Sequence, residues 1–345
     1  MADTKIILGL ESSCDETSCA IVADGRRVLS NVVASQIELH ARYGGVVPEI
    51  ASRAHIEAVN TVIAQAMERS AVVVGDISAI AVTHEPGLIG SLLVGLMAAK
   101  TLAWVWDRPL VAVNHVFAHA YAPALDDDPI EYPAVALVCS GGHTALYRCI
   151  SPLEMELLGS TIDDAAGEAF DKVAQILKLG FPGGPAIDRI ARSGDPAAVR
   201  FPRSLLAGGS LDFSFSGLKT AVLYHVHGVP GRARNRSDRT LSPRQQADIA
   251  ASFQAAVVDT LRIKLRRAAG LVKPRSLILG GGVAANSTLR DAAGELGGRL
   301  GISVRVPQME YCLDNAAMIA GLGYHYLQAR RLADLRLEAR ATVRR

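Results

Sequence analysis

Two histidines four residues apart are the clearest candidates for chemistry in this chain. His115 and His119 enclose Val116, Phe117 and Ala118. On a helix this spacing places both imidazoles on one face, close enough to share a metal ion. Zinc peptidases of the H-E-x-x-H type need a glutamate directly after the first histidine to deprotonate the bound water. Val116 stands there instead, so the pattern predicts a metal site and disfavours a metal-dependent peptidase.

Asp314 is the candidate third ligand. A carboxylate often completes a histidine pair and leaves open positions for a substrate oxygen. Asp314 lies at the start of an apolar helical segment, so on local sequence alone a helix N-cap is an equally good interpretation. Imidazole and carboxylate ligands suit iron, zinc or manganese, and the spacing does not choose among these metals.

Two strand-turn-strand units recur along the chain. The first has strands at 5–10 and 18–22 around a polar turn, and the second has strands at 134–138 and 144–150 around the turn Cys139–His143. Apolar runs separated by short polar turns predict hairpins. Their recurrence predicts an internally duplicated α/β architecture with a cleft between the copies.

A third glycine-rich turn, Gly280–Gly282, follows an apolar strand and precedes a predicted helix at 285–293. Its backbone amides could approach a phosphate or an adenosine, because glycine has no side chain and a helix N-terminus favours negative charge. A purely structural tight turn is the alternative. Earlier in the chain, before this turn, Ser242 and Pro243 predict the N-cap and the first residue of a long helix that reaches Ala269.

The composition predicts a globular protein. The chain has 345 residues, of which half are hydrophobic and a fifth are charged, and this length predicts two domains. The most apolar stretch, 86–99, is shorter than the roughly 20 residues that cross a bilayer, so we interpret it as a buried helix. The N-terminus shows no signal or transit pattern, and the five cysteines show no C-x-x-C spacing. We therefore expect a cytoplasmic protein with reduced thiols and no membrane contact.

Arginines cluster in two places, although the net charge is only +2. Each cluster is either a solvated basic surface or a contact to RNA phosphates. A weaker salt dependence of RNA affinity after neutralisation would support the RNA contact. The clusters consist of Arg232, Arg234, Arg236 and Arg239 in one loop, and of Arg330, Arg331, Arg336, Arg340, Arg344 and Arg345 in the tail.

Six longer motifs, in order between about residue 6 and about residue 323, resemble one family. The chain resembles the universal tRNA threonylcarbamoyladenosine transferases, formerly named O-sialoglycoprotein endopeptidases. The motifs are Glu11–Thr17, Tyr43–Glu49, Ser140–Thr144, Asp163–Lys172, Phe213–Thr220 and Gly281–Asn286.

The resemblance implies a fold and a reaction. The fold is the duplicated actin, sugar-kinase and heat-shock-ATPase fold, an α/β fold with a nucleotide cleft between an N-terminal lobe (1–112 plus about 316–345) and a C-terminal lobe (113–315). The reaction transfers a threonylcarbamoyl group from threonylcarbamoyl-AMP to N6 of the adenosine next to the anticodon, position 37, of tRNAs that read ANN codons, which forms t6A. A metal-dependent glycoprotein endopeptidase and a non-enzymatic nucleotide-binding scaffold are the alternatives.

The resemblance also assigns residues, position by position. It places one divalent ion per subunit, implied to be Fe²⁺ with zinc or manganese left open, on His115, His119 and Asp314. The resemblance assigns no general base; Asp15 and Glu16 are candidates because they lie in the first turn, which faces the presumed cleft. The positions that resemble the adenylate site are Val138, Cys139, Ser140, Gly141, Gly142, Asp171, Gly184, Asp188 and Asn286.

Partners and departures complete what the resemblance implies. The partners are tRNA and, in bacteria, a paralogous subunit and a small ATPase of the TsaB and TsaE types, while homo-oligomerisation stays open. The chain departs from the family pattern at His84–Leu88, where G-P-G-L is usual, at Cys139, where valine is common, and at Ala316, which replaces a glycine. None of these departures removes a predicted ligand.

Overall fold

The computed structural model describes residues 4–126, 128–204, 207–229 and 241–342. The chain forms two compact units. The first comprises Met1–Ile130, Ile150–Met155 and Pro307–Arg345, and the second comprises Glu131–Cys149 and Glu156–Val306. No helix in the described ranges is both long and apolar enough to cross a membrane.

The described ranges contain ten strands and ten α-helices in chain order. The strands are β1 (Ile6–Glu11), β2 (Glu16–Ala23), β3 (Arg27–Ser35), β4 (Ile77–Glu85), β5 (Leu110–Asn114), β6 (Ala134–Cys139), β7 (Thr144–Ser151), β8 (Glu154–Ser160), β9 (Ser276–Gly280) and β10 (Ser303–Arg305). The helices are α1 (Ile37–Ala41), α2 (Pro48–Ser70), α3 (Ile89–Val105), α4 (His115–Tyr121), α5 (Ala166–Ile176), α6 (Gly183–Ala191), α7 (Ser216–His227), α8 (Pro243–Val272), α9 (Ser287–Leu300) and α10 (Ala316–Gln328).

Each unit is built on a five-stranded mixed sheet with the same topology. The order is β3-β2-β1-β4-β5 in the first unit and β8-β7-β6-β9-β10 in the second. In both sheets the central strand pairs antiparallel with the strand that follows it and parallel with the strand on its other side. This correspondence confirms the predicted duplication and both predicted hairpins.

Strand composition explains why the central strand of the second sheet is interior. β6 is a continuous apolar run and is buried throughout its length, the pattern of a strand covered on both faces. Its neighbour β9 is also fully buried. The core of the second unit is completed by α8, whose Phe253 stacks edge to face on Phe170 with ring centroids 5.2 Å apart.

The long helix α8 begins where its sequence predicts. The Ser242 side chain accepts a hydrogen bond from the Gln245 backbone amide, and the Gln245 side chain accepts one from the Ser242 backbone amide. This capping box satisfies two backbone donors at the helix start. Pro243 occupies the first helical position, where its missing amide costs nothing.

Most of the apolar stretch 86–99 is helical, since α3 begins at Ile89, but the prediction that this helix is buried is wrong. In α3, Leu92, Leu96 and Ala99 are buried, whereas Met97 and Trp104 are 55% and 74% exposed. The packed face lies against α2 and β4. The apolar count predicted the helix but could not show that only one face is covered.

The two compact units differ from the predicted lobe boundaries at 112/113 and about 315/316. Residues 113–130 and 307–315 cluster with the first unit, because α4 follows β5 directly and packs against α10. His115, His119 and Asp314 therefore belong to one unit.

We expect Gly281→Ala to destabilise the second unit. Gly281 has a φ of +82°, and a Cβ there would overlap the carbonyl oxygen of Cys139. A backbone clash in a left-handed conformation should lower the free energy of unfolding by about 1–3 kcal/mol. Urea unfolding monitored by circular dichroism measures this change.

Gly294→Ala is the matched control. Gly294 lies in α9, and a Cβ there would meet no atom within 4 Å, so alanine should stabilise the helix by about 0.5–1 kcal/mol. Equal midpoints for the two variants would contradict the close approach of Gly281 to Cys139.

Candidate functional site

The helix that carries both histidines starts without an intervening loop. β5 ends at Asn114 and α4 begins at His115. The Asn114 Oδ1 accepts hydrogen bonds from the amides of Val116 at 3.0 Å and Phe117 at 3.2 Å. Asn114 is thus the N-cap of α4 and fixes the first turn of the helix on the end of a strand.

The structure brings His115, His119 and Asp314 together, as predicted. Both imidazoles are buried. The Asp314 Oδ1 lies 3.0 Å from His119 Nε2 and 3.5 Å from His115 Nε2, and one donor atom from each residue lies within 4.8 Å of the other two. Two imidazole nitrogens and a carboxylate oxygen at this spacing could hold one divalent ion.

Asp314 is not the cap of the following helix, so the N-cap interpretation of this residue is wrong. The cap of α10 is Asn315, whose Oδ1 accepts a hydrogen bond from the Met318 amide at 3.1 Å. The Asn315 Nδ2 also donates to the Leu313 carbonyl at 2.8 Å. These bonds fix the turn on both sides of Asp314 and leave its carboxylate directed at the histidines.

A buried carboxylate, Glu11, orients His115. The Glu11 Oε2 lies 2.8 Å from His115 Nδ1 and accepts a hydrogen bond from Thr83 Oγ1 at 2.7 Å. The Glu11 Oε1 accepts a hydrogen bond from the Ser13 amide. A carboxylate on Nδ1 fixes the tautomer and ring orientation, so that Nε2 is the nitrogen presented to Asp314 and to a metal.

Sequence reasoning did not assign Glu11 or Thr83 to the site. The sheet brings them there: β1 and β4 run parallel and adjacent, as do β4 and β5. Glu11 ends β1, Thr83 lies near the end of β4, and His115 follows β5. Ligand sites in open α/β sheets form at the carboxyl ends of strands. This rule could have indicated from the sequence that Glu11 and Thr83 belong to the site.

Burial and the neighbouring carboxylates act in opposite directions on the pKa values of this site. Burial lowers the pKa of His115, but the carboxylates of Asp314 and Glu11 raise it to about 9. Burial lowers the pKa of His119. Burial raises the pKa of Glu11, but the charge and hydrogen bond of His115 outweigh burial and lower it overall. A divalent ion would supply the positive charge that these carboxylates draw to His115 and would displace its proton.

The donor set tests whether the residues fit a metal. The Nε2 atoms of His115 and His119 both face the Asp314 carboxylate, and both imidazoles are buried. Two imidazole nitrogens and a carboxylate oxygen are ligands that divalent transition metals take in proteins. The donor set therefore fits a divalent ion.

The two candidate bases differ in their surroundings. Glu16 is buried at the start of β2, and its Oε1 accepts a hydrogen bond from Ser35 Oγ at 3.1 Å. Burial and the neighbouring charges of Asp15 and Asp314 raise the pKa of Glu16 to about 10. The raised pKa disfavours the charged form of Glu16 that a general base needs. Asp15 is half-buried and stays the candidate base.

In the second unit, the turn after β6 and the turn after β9 are in contact. β6 and β9 are parallel neighbours, so their carboxyl ends share one edge of the sheet. The Gly167 amide donates to the Ser140 carbonyl at 3.2 Å, and Gly281 packs on Cys139. Above Gly141 and Gly142, an added Cβ would meet no atom within 4 Å. These glycines leave open backbone that a ligand could approach.

The polar adenylate candidates form two further groups. Asn286 Nδ2 donates to Asp188 Oδ1 at 3.2 Å, and Ser287 Oγ donates to the same carboxylate at 2.8 Å. Asn286 also caps α9 through the Leu289 amide. Asp171 Oδ1 accepts a hydrogen bond from the Gly183 amide at 2.7 Å and fixes the start of α6, in which Gly184 is the second residue.

The arginine clusters are only partly described. The cluster Arg232–Arg239 lies outside the described residues, as do Arg344 and Arg345. In the tail, Arg336 pairs with Asp334 at 2.9 Å, and Arg340 lies 3.7 Å from Glu85 Oε2. The RNA contact stays a prediction for both clusters.

Comparison with known proteins decides the family. Residues 27–321 match the family described as TsaD, tRNA N6-adenosine threonylcarbamoyltransferase. The chain belongs to this family. The match confirms the resemblance drawn from the six motifs and identifies the chain as a transferase by family.

Relatives match over nearly the full length of the chain. A tRNA N6-adenosine threonylcarbamoyltransferase of Symbiobacterium thermophilum is 52% identical over 334 residues, which cover 97% of this chain and 95% of the relative. One of the same name from Clostridium perfringens is 46% identical over 342 residues, which cover 99% and 98% of the two chains.

Solved structures support the fold class. Component A of the (R)-2-hydroxyglutaryl-CoA dehydratase of Acidaminococcus fermentans has a TM-score of 0.51 at 16% identity. The match covers 95% of this chain and 100% of component A. HypF of T. kodakarensis has a TM-score of 0.62 at 15% identity, with coverage of 94% of this chain and 48% of HypF. These likenesses confirm the predicted duplicated α/β fold.

We expect the double change His115→Ala and His119→Ala to remove the metal from the purified transferase while most of the fold remains. Both ring nitrogens that face Asp314 would be lost, and a single carboxylate does not hold a divalent ion tightly. Elemental analysis measures metal per chain. His55→Ala is a matched control, because His55 is buried in the same unit but pairs with Thr17 and the Cys14 carbonyl. Stoichiometric metal in the double variant would contradict the ligand prediction.

Proposed function

We propose that this transferase moves a threonylcarbamoyl group from threonylcarbamoyl-AMP to N6 of adenosine 37 in tRNAs that read ANN codons and so forms t6A. The observation that carries the proposal is the clustering of His115, His119 and Asp314 in a chain whose full-length relatives bear the transferase name. The proposed partners are tRNA and, in a bacterial host, a paralogous subunit and a small ATPase of the TsaB and TsaE types.

We further propose that His115, His119 and Asp314 hold one divalent ion, Fe²⁺ by family resemblance. Two imidazoles and a carboxylate suit iron, zinc and manganese alike, so metal analysis of the native protein decides among them. When bound, the ion supplies Lewis-acid stabilisation of charge that develops on substrate oxygens.

The reaction needs little from the protein beyond positioning. Threonylcarbamoyl-AMP is an activated mixed anhydride: the N6–carbonyl bond forms, the carbonyl–phosphate oxygen bond breaks, AMP leaves, and N6 loses one proton. No covalent enzyme intermediate is required. The weakly nucleophilic exocyclic amine must instead be held close to the carbonyl, and the phosphate must be held in place as it leaves.

The chain's own residues divide this work. The turns at Ser140–Gly142 and Gly281 offer backbone donors for the adenylate. Asp188 already accepts bonds from Asn286 and Ser287, but a carboxylate offers about four acceptor positions and can also bind ribose hydroxyls. Glu11 holds the His115 ring in place. Of the two candidate bases, Asp15 is favoured over the buried Glu16 to accept the N6 proton.

The alternatives have weaker support. A glycoprotein endopeptidase would need a base next to the metal, and Val116 occupies the position of the usual glutamate. A nucleotide-binding scaffold without activity would not require the cluster of His115, His119 and Asp314 or the buried carboxylate that orients His115.

We expect the purified protein, supplied with threonylcarbamoyl-AMP, its partner proteins and unmodified tRNA that reads ANN codons, to form t6A. Mass spectrometry of the digested nucleosides detects the product. The same tRNA with guanosine at position 37 is the matched control and should stay unmodified. Absence of t6A together with cleavage of a glycoprotein substrate would replace the transferase proposal with the peptidase.

We expect Asp314→Asn to reduce metal affinity and transfer rate while adenylate affinity stays near that of the unchanged protein. Asparagine keeps the size but removes the anionic oxygen that contacts both histidines. Loss of a residue that hydrogen-bonds to a metal ligand typically lowers metal affinity about 10- to 100-fold. Loss of the ligand oxygen itself should lower it more. Metal competition, adenylate titration and tRNA modification assays measure the three quantities.

Asp334→Asn is the control with the same change in charge, because Asp334 is exposed and pairs with Arg336. Since Asn315 caps α10, Asp314→Asn should not weaken that helix. Near-normal modification with the metal retained would show that Asp314 is not a ligand.

A further inference from the structure

The turn His84–Leu88 places a carboxylate under the protein surface. β4 ends at Glu85. The Glu85 side chain is 13% exposed, and its Oε2 is buried and has no hydrogen-bond partner among the described residues. A buried carboxylate oxygen in this state is costly unless an opposite charge lies nearby.

Glu85 contacts the cap of the helix that carries the histidines. In the sheet, Glu85 pairs with Asn114, and its Oε1 accepts a hydrogen bond from Asn114 Nδ2 at 3.3 Å. An amide held by its nitrogen presents its oxygen on the opposite side. The Asn114 oxygen is the atom that caps Val116 and Phe117, so Glu85 sets the direction of the cap of α4.

The same turn also contacts a residue beside His115. The Leu88 amide donates to the Ser13 carbonyl at 2.8 Å, and Ser13 Oγ lies 3.2 Å from His115 Nδ1. A Cβ on Gly87 would lie 2.6 Å from the Ser13 carbonyl oxygen. The turn therefore contacts α4 at its cap, Asn114, and also contacts Ser13, which lies next to His115.

The C-terminal segment holds this turn from the other side. The Arg340 amide donates to the His84 carbonyl at 2.8 Å, and the Gly87 amide donates to the Ala341 carbonyl at 3.3 Å. The Arg340 Nη1 lies 3.7 Å from Glu85 Oε2. The Glu85 Oε1 also lies 3.9 Å from His84 Nε2, but burial lowers the pKa of His84, so Arg340 is the permanently charged partner that the structure gives this carboxylate. Its side chain is 41% exposed, so a replacement at this position leaves the core intact.

We propose that Arg340 is a positioning residue of the metal centre, which acts through Glu85 and Asn114 on the helix that carries His115 and His119. The proposal rests on the proposed function in its metal assignment. Neutralisation by Arg340 keeps the Glu85 carboxylate in place on Asn114, and Asn114 keeps the first turn of α4 closed. Arg340 touches no reacting group.

The test replaces Arg340 by methionine in the full chain and measures two properties that do not depend on activity. One is the dissociation constant for Co²⁺, followed by the visible absorption of the bound ion. The other is amide hydrogen exchange of residues 115–121. We expect the Co²⁺ dissociation constant to rise about 3- to 10-fold, less than the 10- to 100-fold for direct partners of a ligand. We also expect faster exchange at Val116 and Phe117.

Three further variants separate this effect from a general loss of charge or fold. Arg336→Met removes an exposed arginine of the same segment that pairs with Asp334, and it should leave both properties unchanged. Arg340→Lys should restore most of the affinity, because it keeps a positive charge near Glu85. In the Glu85→Gln background, Arg340→Met should have little further effect, because no carboxylate is left to neutralise.

The outcomes decide each claim separately. If Arg340→Met matches Arg336→Met in Co²⁺ affinity and in exchange, the positioning role is overturned. If the unchanged protein binds no Co²⁺, the metal assignment of the proposed function fails, and exchange at 115–121 alone decides the positioning role. Faster exchange in Arg340→Met but not in Arg336→Met then supports it, and equal exchange overturns it.

Discussion

Charge compensation at one buried imidazole is the constraint on which the first unit depends. His115 is almost fully buried and meets the carboxylate of Asp314 on one nitrogen and that of Glu11 on the other. Glu11 is itself buried and is satisfied by Thr83 and the Ser13 amide. Because each partner would be costly if left unpaired, the strand ends that carry them have a fixed arrangement. The same arrangement fits a divalent ion.

Parallel strands explain why these groups meet. Glu11, Glu85 and Asn114 are the last residues of β1, β4 and β5, three neighbouring parallel strands. Their side chains are therefore delivered to one edge of the sheet. The second unit has the same arrangement of strand ends, since β6 and β9 are parallel and end at Cys139 and Gly280. One duplicated topology thus supplies a polar ligand cluster in one unit and open glycine turns in the other.

The C-terminal segment adds contacts to the turn His84–Leu88 that no single sequence motif predicts. Arg340 lies far from His115 in sequence, yet two backbone hydrogen bonds and one ion pair connect its segment to the turn that supports α4. A partly exposed ion pair is ordinarily worth little. Here the partner carboxylate is buried and hydrogen-bonded to a helix cap, so the pair can affect the geometry of the helix more than the stability of the whole protein.

The sequence by itself determined the family, the duplicated fold, the helix α8 with its capping box, and the three candidate ligands, because these depend on local spacing and on long motifs. The tertiary structure alone decided that Asn315 rather than Asp314 caps α10, since either residue could cap on local grounds. It also decided that α3 is covered on one face only and that burial raises the pKa of Glu16 to about 10. Glu11, the pair Thr83 and Glu85, and Arg340 come from three separate segments, and only the packing of parallel strand ends and of the C-terminal segment could bring them to one helix.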